Sequence, residues 1–271
     1  VTVRSAAHYG SVREAAVAGR FYPADPRQLA TTVDRLLPGS AALASGAPAP
    51  VALIVPHAGY GYSGPVAASG YARLAPLRGR VRWVVVLGPA HFRSVTTAVV
   101  PTAAAFRTPL GVLPVDAGSC TELVKHGLAV AADGPHTPEH SLEVQLPFLQ
   151  RALDPGWALL PIVVGAGGDL AELLAAVIDE TTLVVCSTDL SHYLPHQQAR
   201  QRDRRTAGAI IAGDADAIGP GDACGAAAVR TLLRWAALAG LHIELLDLRT
   251  SADTAGDPSR VVGYGAFTVT R

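Results

Sequence analysis

The sequence predicts a three-layer α/β/α fold built on a mixed, mostly parallel central sheet, and three observations point there. Short apolar runs at 51–56, 82–88, 158–164 and 182–187 alternate with segments of helical character, which puts helices on both faces of one sheet. Three of those runs break off into turns that carry a histidine: PHAGYGYSG after the first, GPAHF after the second and STDLSH after the fourth. The last two extended segments, 242–248 and 261–269, follow each other with no helix between them, so the sheet is expected to be mixed.

Taken in order, residues 1–15 give no periodic signal and read as a flexible arm. Asp25-Pro26 marks a helix start, because proline suits the first helical turn, and that helix runs to about Leu37. Residues 38–50 (PGSAALASGAPAP) carry no core pattern and read as a surface loop. Strand 51–56 leads through His57 into a helix from about Gly64 to Leu74, with Pro65 near its first position. Strands follow at 82–88 and 97–100, then a turn with a short extended piece over 106–112. Asp116 caps a helix to about His126, residues 133–140 form a polar loop, and a helix follows from about Ser141 to Leu153. Strand 158–164, helix 169–179, strand 182–187 and helix 197–213 continue the alternation, and a helix over 223–238 precedes the final strand pair. No internal repeat and no domain-scale linker appears, so residues 1–271 are read as one domain.

Composition narrows the function classes. Of 271 residues, 49% are hydrophobic and only 16% charged, with formal net charge zero. Such a chain buries a large core and carries no electrostatic footprint for nucleic acid or an anionic membrane. The uncharged stretch between Arg35 and Arg73 is broken by five prolines, and no apolar run is long enough to span a bilayer. The first twenty residues lack the apolar segment of a signal peptide, so a soluble, cytoplasmic protein is expected. Cys120, Cys186 and Cys224 form no CxxC pair, which argues against a disulfide framework or a thiolate zinc cage. Lys125 is the only lysine and there is no GK[ST] sequence, which excludes a P-loop.

Ligands of open α/β sheets sit beyond the carboxyl ends of the strands, which is where His57 and His91 fall. One such histidine can simply bond loop backbone; two on one sheet edge converge. Imidazole is both the commonest metal ligand and the commonest acid–base group. Asp189 and His192, from the third turn, can orient a ligand and serve as a base, although Ser187, Thr188 or Asp189 also suits helix capping. His140 begins EHSLE, where Glu143 three residues on can share its face; a plain capping arrangement looks the same. Cys224 in GDACG sits in the first turn of the expected helix, where dipole and free amides lower a thiol pKa. Two histidines plus a third, anionic ligand with open positions is an arrangement of non-heme Fe(II) enzymes. With Cys224 as third ligand, iron, copper and zinc are all chemically admissible. A metal-free cysteine hydrolase using Cys224, His192 and Asp189 is a further reading of the same residues.

These motifs resemble a known family. AGRFYP (18–23), PHAGY with YSG (56–64), LGPAH (87–91), FRTPLG (106–111), EHSLE with LPF (139–148), STDLSHY (187–193) and Cys224-Gly225 together are similar to the Memo family, whose bacterial and archaeal members include the B protein of the AmmeMemoRadiSam system. The resemblance runs from about residue 15 to the C-terminus. It implies the fold of class III (LigB-type) extradiol dioxygenases, with His57, His91 and Cys224 as metal residues and Asp189, His192 and His140 as catalytic residues. Phe21 and Tyr62 would line the substrate pocket, with Phe21 standing where some relatives carry tryptophan. Fe(II) is the implied cofactor, in a dioxygenase-like oxidoreductase acting on a small substrate, although a cysteine replaces the glutamate of the extradiol enzymes. The alternative implied is a metal-linked binding module that captures an anionic or phosphorylated peptide or small ligand without turnover. A functional link to radical SAM and AMMECR-type proteins follows from the same resemblance.

Overall fold

In the computed structural model, the described residues are 11–37, 48–254 and 256–271. Most of the expected loop at 38–50, and the expected arm up to residue 10, lie outside them.

Runs of β-branched and other apolar residues form the strands, because such side chains fit a pleated surface buried on both sides. The strands are β1 (Val12–Arg13), β2 (Ala52–Val55), β3 (Trp83–Gly88), β4 (Ala98–Val100), β5 (Ala105–Thr108) and β6 (Gly111–Pro114). They continue with β7 (Ala129–Ala131), β8 (Ala158–Val164), β9 (Thr182–Ser187), β10 (His192–Leu194), β11 (His242–Thr250) and β12 (Val261–Thr270). Nine of them make one sheet in the order β10-β12-β2-β9-β3-β8-β4-β7, with β11 also paired to β12. Strands β2, β9, β3 and β8 run parallel, while β12 against β2 and β11 against β12 are antiparallel. The mixed, mostly parallel sheet is therefore as expected. All four residues of β2 are fully buried, and Leu53, Ile54 and Val55 each contribute about 1.5–3 kcal/mol over exposure.

The described residues form seven α-helices: α1 (Pro26–Leu36), α2 (Tyr60–Tyr71), α3 (Ala117–Lys125), α4 (Leu146–Ala152), α5 (Ala171–Val177), α6 (His196–Ile211) and α7 (Ala226–Ala239). Side chains alternate between the faces of a strand, and β12 displays the two layers directly. Tyr264 and Ala266 pack on Val66 of α2, whereas Gly263, on the other face, lies against Asp203 of α6. A Cβ at Gly263 would collide with the Asp203 carboxylate, so a larger residue there would force that side chain to move.

The expected starts of α1 and α3 hold in detail. Asp25 accepts the Gln28 N–H with Pro26 at the first helical position, and Asp116 accepts the Ser119 N–H. Three segments differ. Helix α2 begins at Tyr60 rather than Gly64, so Pro65 lies inside it; Gly59 ends the strand turn at once and leaves no room for a longer loop. The helix expected from Ser141 is instead a turn and a 3₁₀ segment (Glu143–Gln145) that runs into α4. The expectation of a loose arm over 1–15 gives way at its described end, where Val12 and Arg13 pair in parallel with Ala105 and Phe106 in a second, three-stranded sheet β1-β5-β6. Two residues carry no periodicity, and their partners lie ninety positions away. Arg13 is anchored there by a buried salt bridge to Glu143, which also accepts the N–H groups of Ala16 and Val17 and the Tyr22 hydroxyl.

Candidate metal centre

Strands β2, β9 and β3 are immediate neighbours and parallel, so their carboxyl ends open on the same edge. His57 follows β2, His91 follows β3, and the loop carrying Asp189 leads from β9 to His192. Cys224 arrives from the opposite direction, just ahead of α7. Its approach depends on Gly225, where a Cβ would lie 2.8 Å from the Ser187 carbonyl oxygen.

The three residues meet. Ligand atoms of His57, His91 and Cys224 lie within 4.8 Å of one another, and His57 Nε2 is 3.3 Å from Cys224 Sγ. Each imidazole is held from behind. His57 Nδ1 lies 2.8 Å from Ser187 Oγ. His91 Nδ1 lies 2.9 Å from Glu139 Oε1, and the His91 backbone N–H donates to Oε2 at 2.6 Å. His192 Nδ1 lies 2.8 Å from the Leu190 carbonyl oxygen. Carboxylate and carbonyl oxygens only accept, so in the neutral rings His91 and His192 carry their proton on Nδ1 and leave Nε2 free, the usual support of a metal-binding histidine.

Electrostatics agree with ligation. Burial holds His57 well below the ordinary imidazole value, with His91, His140 and His192 adding to the effect, and His140 is lowered to about 4 for the same first reason. The Glu139 carboxyl sits at about 2: burial raises it, but the hydrogen bonds from His91 and Ser141 more than offset that. Cys224 corrects an expectation. Its thiol is pushed up to about 12, by burial first and the Asp189 carboxylate next, rather than lowered. The residue precedes α7 instead of lying in its first turn, and protein crowds the sulfur although part of the residue reaches the surface. The Asp189 N–H donates to Sγ at 3.3 Å, a partner suited to a thiolate.

The donor set fits a metal ion. Bonds of about 2.0–2.1 Å to nitrogen and about 2.3 Å to sulfur, at a tetrahedral angle, separate N and S by about 3.5 Å, close to the 3.3 Å observed. A buried neutral imidazole facing a thiol that only a cation would ionise is the chemistry of a soft, borderline site. His57, His91 and Cys224 are candidate metal-binding residues.

Around them lies an open cavity of about 760 Å³, lined also by Phe21, His140, Asp189, His192 and Tyr193. His140 packs against His91, Phe21 and His57, with ring centroids 4.4, 4.7 and 5.4 Å away. It does not work with Glu143, which is committed to Arg13 and Tyr22. Asp189 accepts the His57 N–H at 2.8 Å, and no hydrogen bond joins it to His192 among the described residues. Cys224 and Asp189 are instead both partnered with His57, so the hydrogen bonds present do not assemble a Cys224–His192–Asp189 relay. Phe21 lies among the residues around this cavity, whereas Tyr62 sits outside them, 46% exposed on the first turn of α2.

Sequence reasoning assigned no role to Glu139 or Tyr193. Glu139 belongs to EHSLEVQL, in which Glu139, Ser141, Glu143 and Gln145 are buried, as are Leu142, Val144 and Leu146. Polar residues alternating with buried apolar ones were the available signal. Tyr193 holds φ at 59° at an irregularity in the β10–β12 pairing, a conformation rare for a bulky residue and concentrated at functional sites.

The fold and this cluster define a class: an α/β protein with a two-histidine, one-cysteine centre at the carboxyl edge of its sheet. Comparison with known proteins gives the family. The family described as Memo-like protein matches residues 13–268. A MEMO1 family protein of Methanopyrus kandleri is 36% identical over 288 aligned residues, spanning 96% of this chain and 99% of that one. MEMO1 family proteins of Desulfurococcus amylolyticus and Aquifex aeolicus are 34% and 36% identical, over 94% and 93% of this chain and 98% and 97% of theirs. This chain belongs to the Memo family. Among its described residues, no helix is long and apolar enough to cross a membrane.

Proposed function

We propose that the protein is a non-heme metal-dependent oxidoreductase, dioxygenase-like in its chemistry, that acts on a small substrate in the cavity beside His57, His91 and Cys224. The convergence of these three side chains, with His57 Nε2 and Cys224 Sγ 3.3 Å apart, is the observation that carries the reading. Fe(II) is the favoured ion, and copper or zinc are the competitors for the same soft donors. The metal would supply Lewis acidity and one-electron redox chemistry.

The residues supply the rest. His192, with Nδ1 committed to the Leu190 carbonyl, offers Nε2 as the base for a substrate hydroxyl or water. Asp189 is buried, which raises its carboxyl above the ordinary range, and by accepting the His57 backbone N–H at 2.8 Å it positions the loop that carries His57. His140 and Phe21, with ring centroids 4.7 Å apart, form an aromatic wall on one side of the cavity. Capture of an anion is the weaker reading, because burial keeps His57 and His140 neutral and Asp189 lies among them.

Metal-free protein loaded anaerobically with Fe(II), Cu(I) or Zn(II) in turn tests this. Iron-loaded protein is expected to consume oxygen when offered a pool of small metabolites, and His192→Ala to lose that uptake while still binding iron. Tight metal binding without turnover for any ion overturns the enzymatic reading in favour of the binding module.

A further inference from the structure

Behind His57 lies a chain of polar groups that do not line the cavity: Tyr71, Gln145, Ser187 and the carbonyl of Ser141, in residues at most 1% exposed. Their hydrogen bonds have a direction. The Pro56 carbonyl can only accept, and it lies 3.0 Å from Gln145 Nε2, which fixes the amide orientation. Gln145 Oε1 then accepts the Tyr71 hydroxyl at 2.8 Å, and the remaining amide hydrogen goes to Ser187 Oγ at 2.8 Å. Ser187 has a single proton. The Ser141 carbonyl, 2.6 Å away, is another obligatory acceptor and takes it. With its proton given to Ser141 and one lone pair taken by Gln145, Ser187 can only accept from His57 Nδ1, 2.8 Å away.

We infer that Ser187 is a positioning residue that locks His57 in the Nδ1–H tautomer and so aims the Nε2 lone pair at Cys224. The opposite tautomer would require Ser187 to donate to Nδ1, which leaves the buried Ser141 carbonyl facing an oxygen at 2.6 Å with no hydrogen between them. Leaving a buried acceptor unpaired biases the equilibrium by roughly ten- to a hundredfold. His91 reaches the same tautomer through a carboxylate, so the two imidazoles are set by unlike partners, one charged and one neutral. The functional meaning of the lock rests on the metal reading given above; the lock itself is a property of the metal-free fold.

The test is long-range ¹H–¹⁵N correlation on metal-free protein labelled at histidine nitrogen, at about pH 7.5, a unit above the ordinary imidazole value. His57 is assigned by its absence in His57→Gln. A pyrrole-type Nδ1 and a pyridine-type Nε2 are expected for His57 in the unmodified protein. Ser187→Ala is expected to give shifts averaged over both tautomers and metal affinity lower by about 10–100-fold, while His91, held by Glu139, keeps its pattern. A proton on Nε2 of His57 in the unmodified protein overturns the inference without any variant, as does an unchanged His57 spectrum in a folded Ser187→Ala. If the locked tautomer appears but the protein takes up no metal, the lock stands and the metal reading falls.

Discussion

Glu139 embraces His91 with both of its oxygens: Oε1 lies 2.9 Å from the ring Nδ1, and Oε2 accepts the backbone N–H at 2.6 Å. One buried carboxylate thus fixes the ring, its tautomer and the loop that carries it. Glu139→Gln is expected to lower metal affinity by about 10–100-fold with the fold intact. Isothermal titration with metal and a circular dichroism spectrum check both halves.

The same carboxylate makes an acid-sensitive contribution to stability. Held at about 2 against an ordinary 4.5, it stabilises the folded protein fully above about pH 4.5, and that part is lost as pH falls through about 2. Denaturant unfolding of metal-free protein at a series of acidic pH values should show the loss, and Glu139→Gln should flatten it.

Metal uptake should release a proton. The metal-free Cys224 thiol is raised to about 12, so it is protonated at neutral pH and must give up its proton to bind. Affinity is expected to rise about tenfold per pH unit between about pH 7 and 9. In Cys224→Ser that slope should vanish along with most of the affinity. Titration in buffers of different ionisation enthalpy counts the proton directly.

Much of this architecture was legible in the sequence, and the part that was not has a physical reason. Buried parallel strands show as continuous apolar runs, so β2, β3, β8 and β9 could be placed to within a residue or so, and with them His57 and His91. Cys224 was found, but its thiol was assigned the wrong direction. A polar, glycine-rich approach suggested an open helix terminus, whereas long-range packing against the Ser187–Asp189 loop crowds the sulfur. Ser187 carries no local pattern, and the alternation around Gln145 does not say what its amide meets, because which hydroxyl meets which imidazole is decided only when three strands close side by side. Val12–Arg13 was missed for the same reason, since its partners lie across the chain.

That packed N-terminal strand gives a stability prediction. Glu143 holds Arg13, the Ala16 and Val17 amides and the Tyr22 hydroxyl. Glu143→Ala leaves a buried guanidinium unpaired and is expected to cost about 3–5 kcal/mol, read as a lower urea midpoint. Phe21, next to Tyr22, should loosen with it, altering the cavity wall beside His140.

Gly225 tests the approach of Cys224. A methyl group there would lie 2.8 Å from the Ser187 carbonyl oxygen and 2.9 Å from Thr188 Cβ. Gly225→Ala is expected to cost about 1–3 kcal/mol through overpacking and to weaken metal binding by moving the sulfur. Gly61→Ala, with nothing within 4 Å of the new carbon, should do neither.

The most direct measurement is metal content after purification without oxygen. Unmodified protein is expected to carry bound metal, about one ion per chain and predominantly iron, with His57→Ala and Cys224→Ser emerging essentially metal-free while still folded. Full metal content in both variants would contradict the centre built on these side chains.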